Sequence, residues 1–132
     1  MKCLDTPLLE DLLLGRPRAR KWLARFGKDE GETAATEVSF AELTEIARGQ
    51  GRAAERHLEA LAALRRELTV LPFDAESQRA MVRLAVKSRH DGGDLLPLMV
   101  AGTALAKGVS HVLTDGKRRF PREVAPLKIV RL

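Results

Sequence analysis

A chain of 132 residues, 45% hydrophobic and 31% charged, can bury a core and is too apolar to be disordered. No apolar run reaches the roughly 18 residues of a membrane span, the start lacks a secretory-signal pattern, and Cys3, the only cysteine, excludes an internal disulfide and a Cys-based zinc site. A net charge of +5 favours a polyanionic partner, while 4% aromatic residues and no Tyr argue against a platform that stacks single-stranded bases. One domain over residues 1–132, in a reducing cytoplasm and off the membrane, is the expectation.

Residues 2–5 read as a short buried strand ending in Asp5. Thr6 suits a helix N-cap and Pro7 the first helical position, with a helix over 7–14 closed by Gly15. A second helix starts near Pro17. Trp22, Leu23 and Phe26 are spaced to face the core, and Arg16, Arg18, Arg20, Lys21 and Arg25 cover the rest. Residues 27–33 are polar and glycine-containing, the composition of a surface loop.

The second strand is expected over 34–38, followed by a capping box with Ser39 as N-cap and Glu42 three residues inside. That helix runs to about Arg48. Another covers 52–66, with Leu58, Leu61, Ala62 and Leu64 on its apolar side. Residues 68–71 form the third strand, stopped by Pro72. Asp74 caps a helix over 75–87 that turns Met81, Leu84 and Ala85 inward, and residues 90–93 make a turn. The almost wholly apolar segment 95–106 predicts a helix buried on most sides, with Asp94 as N-cap and Gly108 at its end. Strands four and five fall at 111–114 and 127–130. Strands alternating with helices predict an α/β fold, a three-layer α/β/α sandwich around a parallel sheet.

In such a fold ligands bind at the carboxyl ends of the strands. Asp5 and Asp115 end the first and fourth strands. Glu42 starts the helix that leaves the second. A helix over 94–107 spans roughly 20 Å at 1.5 Å per residue, which returns Asp94 to the same rim. Four converging carboxylates repel one another and call for a cation, and Mg²⁺ suits oxygen donors. Each acid also has a plainer role: Glu42 in its capping box, Asp94 as an N-cap, Asp115 in a turn before Gly116. Lys117, Arg118 and Arg119 follow Asp115 and would hold phosphate beside the acids, with Arg18 and Lys21 as a second basic surface. Basic surfaces around an acidic crevice suggest a nuclease.

The chain resembles the PIN-domain family, and within it the VapC-type toxins of toxin–antitoxin pairs. The likeness rests on Leu4-Asp5-Thr6, on 38–43 (Val-Ser-Phe-Ala-Glu-Leu), on 71–74 (Leu-Pro-Phe-Asp), on 94–96 with 101–108, and on 112–115 followed by Phe120-Pro121. It implies a central parallel five-stranded sheet with the first strand in the middle. It also implies cleavage of RNA with Mg²⁺ or Mn²⁺, and an antitoxin protein as partner. Asp5, Glu42, Asp94 and Asp115 would be catalytic, with Asp5, Asp94 and Asp115 on the metal. The chain departs from the family pattern at Pro7, at Asp94, about one helical turn early, and at Asp115, one residue early. A domain that binds RNA or a protein without cutting is the alternative; a receiver-like domain lacks its paired acids. Leu8, Leu9, Leu12, Leu13 and Leu14 exceed what one helix face can bury, which predicts a homodimer, or a heteromer with an antitoxin, through the first two helices.

Overall fold

The structure is a computed structural model that describes residues 1–26, 32–89 and 91–132. In chain order its elements are β1 (Lys2–Leu4), α1 (Thr6–Leu13), α2 (Pro17–Phe26), β2 (Thr33–Thr36), α3 (Glu37–Arg48) and α4 (Ala54–Glu67). There follow β3 (Thr69–Leu71), α5 (Ala75–Lys87), α6 (Leu95–Ala106), β4 (His111–Thr114) and β5 (Lys128–Arg131). A 3₁₀ turn, Gly51–Ala53, joins α3 to α4.

The strands form one sheet in the order β3-β2-β1-β4-β5, and every pair is parallel. The expected five-stranded parallel sheet with its first strand central is what the chain adopts. Side-chain alternation along each strand sends consecutive residues to opposite faces. Cys3, Ala34 and Val112 enter one core with Leu84 of α5 and Val100, Ala101 and Ala104 of α6. Leu4, Ala35 and Leu113 enter the other with Leu8 and Leu9 of α1, Trp22 of α2, Phe40 and Leu43 of α3 and Leu61 of α4. Helices therefore cover both faces, as buried parallel strands require.

Several boundaries differ from expectation for identifiable reasons. Asp5, not Thr6, is the N-cap residue of α1, and Thr6 is its first helical residue. The Thr6 hydroxyl is engaged by α3 instead. Thr36, not Ser39, caps α3: its hydroxyl accepts from the Ser39 amide at 3.1 Å. The helix thus begins three residues early, β2 ends at Thr36, and Glu42 lies in the second turn rather than in a capping box. The helix expected over 52–66 starts as the 3₁₀ turn, and both Leu58 and Ala62 are exposed. Leu68 and Leu127 precede their strands rather than open them.

Leu23 is 41% exposed, so α2 turns Ala19 and Trp22 inward and not Leu23. The Phe26 side chain, residues 27–31 of the expected loop and His90 of the expected turn lie outside the described residues. Of the α1 leucines, Leu8 and Leu9 are buried, Leu12 and Leu13 pack against the same core, and Leu14 alone is exposed. The surplus of apolar surface that predicted a homodimer is therefore absorbed within the chain. Asp74 caps α5 as expected, accepting from the Ser77 amide at 3.1 Å.

Candidate active site

The centre of the carboxyl rim is where β1 stops. The Asp5 amide donates to the Leu113 carbonyl at 2.9 Å, which extends the β1–β4 ladder by one residue before α1 turns away. This holds the Asp5 side chain at 0% exposure between strand ends. Its Oδ2 accepts from the Thr114 hydroxyl at 2.7 Å. A buried carboxylate needs more than one neutral donor, and Arg118 supplies the rest. Arg118 Nε donates to Asp5 Oδ2 at 3.0 Å and Nη2 to Oδ1 at 3.2 Å, a two-pronged contact.

The same guanidinium reaches Glu42 of α3. Nη1 lies 3.0 Å from Oε2 and Nη2 2.9 Å from Oε1. The Thr6 hydroxyl stands 2.8 Å from Glu42 Oε1 and 2.9 Å from the Ser39 hydroxyl. A carboxylate only accepts, so Thr6 gives its one proton to Glu42 and accepts from Ser39. Two carboxylates, one guanidinium and a row of hydroxyls thus make a closed cluster of net charge −1. Arg118 retains only 18% side-chain exposure.

Burial is the largest influence on Asp5 and raises its pKa above the ordinary 3.8, while the charge and hydrogen bonds of Arg118 and the Thr114 hydroxyl pull it back. Burial works against the Arg118 charge as well, but hydrogen bonds to Glu42 and the charge of Asp5 outweigh it and raise its pKa. The two directions oppose each other over one contact. Geometry decides for the ionised pair, because both Asp5 oxygens accept and neither has room for a proton.

The other two acids do not join this cluster. Asp94 is an N-cap residue whose side chain makes no cap bond and is 61% exposed. It faces Arg119 at 3.7 Å, and Arg119 also reaches Asp91 at 3.1 Å. Asp115 folds back to accept from the Lys117 amide at 2.9 Å. It also lines a cavity of about 260 Å³ with Asp11, Arg18, Lys21 and Trp22. The expected convergence of four acids is thus a pairing of Asp5 with Glu42, because local partners claim the others. Among the described residues no three His, Cys, Asp or Glu side chains are grouped to hold one metal ion.

The basic residues also divide. Lys117 and Arg119 are exposed, whereas Arg118 turns inward, so the triplet is not a single phosphate-facing row. Arg18 is tied to Asp11, an acid buried in α1 that Arg16 also contacts. Nothing in the sequence marks Asp11 for burial, and only the fold places it inside. Arg118, expected to hold phosphate, faces carboxylates instead. The need for a cation at the acids was legible, but the chain meets it with its own guanidinium.

Residues 2–124 match the PIN domain family. The chain belongs to that family. No curated protein matches its sequence at a significant level. Its fold is similar to that of several solved structures. VapBC2 from Rickettsia felis, bound to a DNA fragment from its promoter, is 18% identical, with 97% of this chain and 96% of that one covered and a TM-score of 0.76. DNA-bound VapBC from Salmonella typhimurium is 22% identical over 97% and 95% of the two chains, also at 0.76. VapC20 of Mycobacterium tuberculosis, described as a sarcin–ricin loop cleaving toxin, is 18% identical over 85% and 87%, at 0.62.

Proposed function

We propose that this PIN domain is a ribonuclease, the toxin half of a VapBC-type toxin–antitoxin pair, working in the cytoplasm as one domain over residues 1–132. The observation that carries the proposal is the placement of Asp5 and Glu42 together at the carboxyl end of the central strand. Similar structures named as toxin–antitoxin complexes support an antitoxin as partner. Exposed Leu14 and Leu23 on α1 and α2 offer it, or a second copy of the chain, an apolar contact.

The family resemblance implies Mg²⁺ or Mn²⁺. The donors as they stand do not fit such an ion: all four oxygens of Asp5 and Glu42 already accept from Arg118, and Asp94 and Asp115 are engaged elsewhere. What the chain's own groups supply is orientation. Thr114 and Thr6 fix the two carboxylates, and exposed Lys21, Lys117 and Arg119 at the rim attract the RNA backbone without reading its bases.

The occupied cluster favours a second reading, a PIN domain that binds RNA or a protein without cutting. Incubating the purified protein with RNA, with and without Mg²⁺ or Mn²⁺, separates the two. Ribonuclease action predicts cleavage that Asp5→Asn and Glu42→Gln both abolish. Binding with no cleavage under any condition establishes the second reading.

A further inference from the structure

The segment 115–119 contains or contacts each of the four acids expected at the rim. Asp115 belongs to it, Arg118 bonds to Asp5 and Glu42, and Arg119 pairs with Asp91 and Asp94. Its far end is fixed. The Asp94 amide donates to the Arg119 carbonyl at 2.9 Å, and Phe120 and Pro121 are buried. Gly93 (φ +74°) lies so close that an added Cβ would stand 2.5 Å from the Arg119 carbonyl oxygen. Its near end is open: Gly116 has no neighbour within 4 Å of where a Cβ would sit, and Lys117 is exposed. Arg118 hangs between a fixed point and a loose one, aimed inward.

We infer that Arg118 is a self-supplied plug, its guanidinium competing with divalent cations for Asp5 and Glu42 so that the chain holds its own acidic centre shut. This rests on the Proposed function only in assigning Asp5 and Glu42 to the centre. The planar fork matches two carboxylates at once, which an ammonium cannot do. It also leaves the cluster at −1, so an ion that displaces it must recover four charge-assisted hydrogen bonds. Withdrawing the near end of the segment removes Arg118 from Asp5 and Glu42 and frees Asp115 from its local turn. One movement therefore exposes the central pair and its neighbour.

The test needs no RNA. Mn²⁺ binding is measured by electron paramagnetic resonance, with the Tm shift beside it, on wild type, Arg118→Ala, Arg118→Lys and the Arg118→Ala/Asp5→Asn double variant. The plug predicts that Arg118→Ala binds Mn²⁺ roughly tenfold or more tightly than wild type, as expected when one cation no longer competes with another. Its Tm should rise with Mn²⁺, as a ligand of the native state requires, and the double variant should lose both gains. Equal, Asp5-dependent Mn²⁺ binding by wild type and folded Arg118→Ala overturns the inference, and so does a folded Arg118→Ala that gains nothing. Should Arg118→Ala fail to fold, Arg118→Lys keeps the charge and must show a smaller gain. In wild type, the ¹⁵N signal of Arg118 Nε–H should stay protected at Mg²⁺ concentrations that half-saturate folded Arg118→Ala; its loss at those concentrations overturns the plug. If every variant leaves RNA intact while the Mn²⁺ results hold, the ribonuclease assignment falls and the plug stands.

Discussion

Asp5 and Arg118 stand 113 residues apart in sequence and 3.0 Å apart in space. Their pairing makes a sharp pH prediction. Burial raises the folded pKa of Asp5 above its ordinary value, and the guanidinium offsets that. Arg118→Met leaves a buried charge uncompensated, which costs about 3–5 kcal/mol at neutral pH. An acid whose folded pKa is raised binds its proton more tightly in the folded state. The penalty is therefore absent below the unfolded value, near 3.8, and grows as pH rises through the raised folded value. Urea unfolding of wild type and Arg118→Met should accordingly converge near pH 3.5 and separate by pH 7; a constant difference across that range would contradict the buried-charge account. Asp5 itself was legible from its place before a helix start. Arg118 was not, because three adjacent basic residues carry no periodicity that tells which one turns inward.

Among the elements, α5, α6 and β4 have the boundaries their patterns predict, because apolar periodicity and end signals agree there. At β2 and α3 two cap signals overlap: Thr36 and Ser39 each have a hydroxyl suited to the cap. Thr36 wins because Ser39 is drawn into the contact with Thr6. The α5–α6 pair is locked in the middle and at one end. A Cβ on Gly102 would meet the Met81 backbone at 2.9 Å, so the helices touch without an intervening side chain. Lys107, the C-cap residue of α6, bonds Asp74, the N-cap of α5, so each charge sits at the helix end that favours it. The Lys107 hydrogen bond, followed by the Ser77 amide, lowers the Asp74 pKa from 3.8 to about 2. Its contribution is present above the unfolded value and is lost as pH falls from 3.8 through about 2. Asp74→Asn should therefore unfold at a lower temperature than wild type at pH 6, with the gap closing toward pH 2. Equal Tm values at pH 6 would mean that the cap and ion pair contribute nothing.

For the whole molecule, a charge of +5 predicts attraction to a polyanion, such as the RNA of the proposed function, but not where it is gripped. The fold sharpens this. Lys21 and Lys117 are exposed, while Arg118 is spent on carboxylates. Replacing Lys21 and Lys117 by Ala should weaken binding evenly across sequences and flatten the dependence on log salt by roughly 0.7 per lost contact on a single strand. Filter binding over a salt series measures it. An unchanged slope would move the grip away from this rim. No helix among the described residues is long and apolar enough to cross a membrane.

The central position of β1 has a consequence in time. Its partners are β2, about thirty residues later, and β4, which pairs with it from residues 111–113. A chain emerging from the ribosome amino end first can pair β1 with β2 early, but the other edge of β1 stays open until nearly all the rest has been made. Thr114 and Arg118 arrive with that final segment, so Asp5 and Glu42 are translated long before the groups that neutralise and bury them. The acidic centre is therefore completed late although its acids are made early, and the strand that covers the second edge of β1 and the arginine that seals the centre arrive in the same stretch of synthesis.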